Sequence, residues 1–93
     1  MPNLVFTTQT LVALNRLAAS IYKETGQRFE LAKETSLLGL LALSAASSNE
    51  SIRSHVNTLL HQMNELEMRQ LSERGLDFTP ERLVKLSHRR ALT

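Results

Sequence analysis

Apolar and polar positions divide the chain into helical periods of different kinds. Between Thr8 and Thr25, Leu11, Leu14, Leu17, Ala18, Ile21 and Tyr22 fall within one arc, with Asn15, Arg16, Ser20, Lys23 and Glu24 opposite. Such a division, at about 100° per residue, predicts an amphipathic surface helix. Gly26 follows the last periodic residue, where a helix end favours a left-handed backbone. A second helix, from about Leu31 to Ala46, carries Leu37, Leu38, Leu40, Leu41 and Leu43 around most of its circumference. Thr35, Gly39, Ala42 and Ala46 make a narrow ridge of small residues on it. A helix apolar all round is expected to be buried and central. A glycine within it, which costs about 1 kcal/mol against alanine, points to close approach by another backbone.

Ser47 followed by Glu50 fits a capping box at the start of a third helix, from about Asn49 to Arg74. Ile52, Val56, Leu59, Met63 and Leu66 are spaced 4-3-4-3 along it. That is the seam of a coiled coil or of antiparallel bundle packing. Arg74-Gly75 supplies a glycine stop. Thr79-Pro80-Glu81 then gives a cap, a proline and an acidic residue in the order that opens a helix. The fourth helix is expected from about Pro80 to Arg89, with Leu83, Val84 and Leu86 on one side. Leu4-Val5-Phe6, ahead of the first helix, reads as a short strand or as an apolar arm over the core.

The pattern predicts an all-α, four-helix bundle-like domain spanning residues 1–93, with a buried second helix and a long third helix. Length agrees, since 93 residues and 10.5 kDa make one small domain. With three glycines, two prolines and 4% aromatic residues, a turn-dense β domain is excluded. The absence of cysteine excludes a disulfide framework and a thiolate metal site. The longest apolar window, Leu37–Ala46, falls far short of the roughly 20 residues that span a membrane. The first residues lack the basic and apolar regions of a secretory signal. A cytoplasmic protein is expected.

Candidate chemistry is sparse. His61 and Glu65 share a helical face at i, i+4, but two ligands on a solvated face do not make a functional metal site. His55 points elsewhere, no glycine-rich phosphate loop exists, and the serines lack a nucleophile-elbow context. The expectation is a protein without catalysis, cofactor or metal.

The formal charge of +2 is too even to name a partner, yet it is unevenly distributed. Residues 80–93 carry four basic groups and one acidic group. Arg82, Lys85, Arg89 and Arg90, with His88 beside them, form a candidate nucleic-acid contact. The order Leu4-Val5-Phe6-Thr7, helix, Gly26, helix resembles that of ribbon-helix-helix repressors over about residues 3–47. Their ribbon presents alternating basic or amide side chains to the DNA groove, and this segment has none. No family is assigned.

The strongest candidate is shared apolar surface. Leu37, Leu38, Gly39, Leu41, Ala42, Ile52, Val56, Leu59, Met63 and Leu66 present more apolar stripe than four helices are expected to internalise. A symmetric homodimer is the commonest remedy for such a surplus. The sequence therefore suggests a small non-enzymatic regulator or adaptor, dimeric, binding an unidentified protein through apolar helical surfaces. The alternative is a DNA- or RNA-binding regulator using the basic C-terminal helix.

Overall fold

A computed structural model of the chain describes residues 4–78, which form four helices: α1 (Thr8–Thr25), α2 (Glu34–Ala45), α3 (Glu50–Gln62) and α4 (Glu65–Glu73). No strand occurs among the described residues, so Leu4-Val5-Phe6 is an arm. The helix expected over residues 80–89 lies outside them.

α1 has the expected bounds. Thr7 caps it, its hydroxyl accepting from the Thr10 N–H at 3.2 Å, and Gly26 ends it at φ 75°. Its buried face is Ala13, Leu14, Leu17 and Ile21, with Thr10 and Ser20 beside them. Leu11 and Tyr22, assigned to the inward arc by periodicity, are 43% and 45% exposed. The face is rotated because α3 packs on the side of the small residues. There the Ser20 and Ser51 hydroxyls lie 3.3 Å apart, and Ile52, Val56 and Leu59 meet α1 in the common core. The α1–α3 pair is the most extensive helix contact among the described residues.

The long third helix is corrected. It ends at Gln62, Met63 turns to an extended ψ of 140°, and Asn64 starts α4. A complete capping box fixes the break: the Asn64 side chain accepts from the Glu67 N–H at 2.8 Å, and the Glu67 carboxyl accepts from the Asn64 N–H at 2.9 Å. The heptad seam therefore stops at Met63. Leu66, its expected continuation, is turned outward and 60% exposed, while Glu67 and Leu71 take the inward positions. The start of α3 is corrected too. Asn49, not Ser47, caps it by accepting from the Ile52 N–H at 3.1 Å, while Ser47 accepts from the Asn49 N–H.

α4 closes as the glycine stop predicts. Gly75, at φ 86°, donates to Ser72 and Leu76 donates to Leu71, each at 2.9 Å. These are the paired bonds of a Schellman ending. Arg74, at the turn, reaches back to α2 and pairs with Glu34 at 3.0 Å. Phe78 is buried in the core.

α2 begins at Glu34 rather than Leu31 and is not the enclosed central helix that its composition predicts. Leu37, Leu40, Leu41, Ser44 and Ala45 face the core. Thr35, Gly39 and Ala42 face outward, and Leu43 is 37% exposed. The α1–α3 pair already forms the spine, so α2 needs to offer it only one side.

Candidate functional site

The expected interface residues separate into two groups. Leu37, Leu41, Ile52, Val56, Leu59 and Met63 are buried within this chain, so their side chains are spent on its own core. Leu38 is half-buried, and Gly39, Ala42 and Leu66 are exposed. The first three of these lie on the outward face of α2. At about 100° per residue, Thr35, Gly39, Ala42 and Ala46 run down its middle, with Leu38 on one flank and Leu43 on the other. From Thr35 to Asn49 the chain has no charged side chain, so the face carries no ionic group of its own.

Among the described residues no backbone crosses at Gly39. A Cβ placed there would meet only the Phe29 ring, at 3.6 Å, which is ordinary van der Waals contact. The intramolecular reason expected for the glycine is therefore absent among the described residues.

A second region is polar and was not anticipated from the sequence. Glu67 is 2% exposed and ties three segments together. One carboxyl oxygen accepts from the Thr10 hydroxyl at 3.0 Å and from the Asn64 N–H; the other accepts from the Thr7 N–H at 2.9 Å. The Thr10 hydroxyl also approaches the Gln62 carbonyl at 3.4 Å. One turn on, the Gln70 amide accepts from the Val5 N–H at 2.9 Å and donates to the Val5 carbonyl at 2.8 Å. The signal for half of this junction was Asn64-x-x-Glu67 itself; nothing local pointed to Thr10 or Val5.

Beside the junction lies an open cleft of about 490 Å³, lined by Leu4, Phe6, Leu11, Leu14, Leu31 and Leu37 among others, with Glu34 at its edge. Its size lies in the range of small-ligand sites, about 300–1,000 Å³, but its polar groups do not converge on a point.

His55 and His61 take no part in either region, and His88 lies outside the described residues. His55 Nδ1 lies 2.8 Å from the Ser51 carbonyl and His61 Nδ1 lies 2.7 Å from that of Asn57, each one turn back along α3. The break at Met63–Asn64 puts His61 and Glu65 on different helices, so their i, i+4 register is lost. No group of three or more His, Asp or Glu residues able to hold a metal occurs among the described residues. None of their helices is long and apolar enough to cross a membrane. Arg82, Lys85, Arg89 and Arg90 lie outside the described residues. No family model, curated protein or solved structure matches the chain.

Proposed function

We propose that this chain is a non-enzymatic helical regulator or adaptor that acts by binding another macromolecule, and that it does so as a homodimer. The observation that supports this most is the outward face of α2, where Leu38, Gly39, Ala42 and Leu43 lie together on a stretch that carries no charged side chain from Thr35 to Asn49. A central row of small residues lets a second helix approach closely, and the flanking leucines supply contact area. Full burial of a leucine contributes about 1.5–3 kcal/mol, and because Leu38 and Leu43 are already partly buried each flank adds only a fraction of that towards the association cost. Using the same patch on both copies closes the assembly and leaves other surfaces free for a partner.

Light scattering of the purified protein tests the reading. The wild type is expected at twice its 10.5 kDa mass, and Leu43→Glu at the monomer mass with its helical circular dichroism retained. A wild type that remains monomeric at high concentration contradicts it. A monomer that retards DNA, with loss of binding on charge reversal of Arg82, Lys85 and Arg89, would support the nucleic-acid reading instead.

A further inference from the structure

We propose that residues 4–7 are a releasable strap along the cleft that they help to line, latched by Gln70 and Glu67 of α4. Residues 4–6 have no backbone–backbone hydrogen bond to any other described residue. Their polar anchorage comes from a side chain: Gln70 pairs with both the N–H and the carbonyl of Val5, as a neighbouring strand would. Glu67, three residues earlier and on the same side of α4, holds the Thr7 N–H where the strap joins α1. The two holds differ in depth. Glu67 is buried and also caps α4, whereas both Gln70 bonds are exposed to solvent and Val5 itself is 67% exposed.

The strap is therefore fixed at its Thr7 end and weakly held at Val5. Leu4 and Phe6 pack against the core and form one wall of the cleft, facing Leu11, Leu14, Leu31 and Leu37. Losing the Gln70 contact leaves that wall held only by the partly buried Leu4 and Phe6 and leaves the helices in place, because no helix cap or core residue depends on the Gln70 amide. Hydrogen bonds at a surface are individually weak on balance, so opening here requires far less than unfolding. The device is separate from the α2 face and does not depend on dimerisation.

Hydrogen exchange on the full chain, combined with fluorescence of the apolar dye anilinonaphthalene sulfonate, tests the strap. In Gln70→Leu the Val5 amide is expected to exchange about tenfold faster, the factor that a net bond of about 1.4 kcal/mol confers. The amides of Leu17 and Leu59 should be unchanged, and dye fluorescence should rise several-fold. Arg69→Leu, which adds a leucine at a neighbouring exposed position, should leave both readings at the wild-type level. An unchanged Val5 amide shows that Gln70 is no latch. Equal acceleration at Val5, Leu17 and Leu59 shows that the arm opens only with the whole fold. Faster Val5 exchange without a gain in dye binding shows that the strap does not gate the cleft. Each of these results overturns the proposal.

Discussion

The α1–α3 pair and α2 obey different rules. α1 and α3 each alternate between apolar and polar sides, so water and core select the same orientation for them, and both bury a continuous stripe. α2 has the higher apolar content and, for its length, the larger share of buried positions, yet its composition marks no side for water. Without polar residues on one side, its own sequence does not specify which face goes inward; the shape of the α1–α3 spine does. Leu37, Leu40 and Leu41 are buried, and the remaining face stays apolar in the open. Sidedness fixes which face α1 and α3 bury, whereas in α2 the packing of the other helices chooses the face.

Substitutions can break or sharpen that contrast. The largest effect is expected in the spine. Leu59→Ala removes a fully buried side chain between α1 and α3 and should cost about 2–5 kcal/mol in urea unfolding. For a domain whose whole stability is of the order of 5–15 kcal/mol, such a loss is severe. Ala42→Ser, on the outer face of α2, should by comparison leave the unfolding of the isolated chain within about 0.5 kcal/mol. Similar losses at the two positions would erase the distinction between spine and α2.

Glu67→Ala comes next. It removes hydrogen bonds to Thr7, Thr10 and Asn64 together, and at about 1 kcal/mol each it should destabilise by about 2–3 kcal/mol. The loss should appear in chemical denaturation together with faster exchange of amides at the start of α4. Asn49→Ala, deleting the α3 cap, should cost about 1 kcal/mol, whereas Ser47→Ala should cost clearly less. One further effect has the opposite sign. Gly39→Ala adds a methyl group that meets nothing closer than 3.6 Å and should stabilise the isolated chain by about 0.5–1 kcal/mol through helix propensity. A clear fall in the melting temperature of a monomeric variant would show that the face is already covered within the chain.

Much of this architecture was legible in the sequence, and the failures have identifiable causes. The bounds of α1, the turn at Gly26 and the stop at Gly75 followed from periodicity and glycine chemistry, which are local. The break after Gln62 was hidden by the apolar spacing from Ile52 to Leu66, which continues smoothly across it. Asn64-x-x-Glu67 was a readable cap within that run, and it prevailed because Glu67 also serves Thr7 and Thr10. That second service joins residues nearly sixty apart in the chain, beyond the reach of any local pattern. The same limit applies to α2: its composition announced burial, but only the packing of the other helices decides how many sides are needed. Of the candidate interface, the positions that reach the surface are Leu38, Gly39, Ala42 and Leu66, and Leu43 joins them on geometry alone.

The most direct test of the account is a filtered nuclear Overhauser experiment on an equal mixture of carbon-13-labelled and unlabelled protein. Only contacts between copies give cross-peaks in such a sample. The account predicts intermolecular peaks from the methyl groups of Leu38, Ala42 and Leu43, and none from those of Leu17 or Leu59. Silence at Leu38, Ala42 and Leu43 at concentrations where the protein remains folded would contradict it.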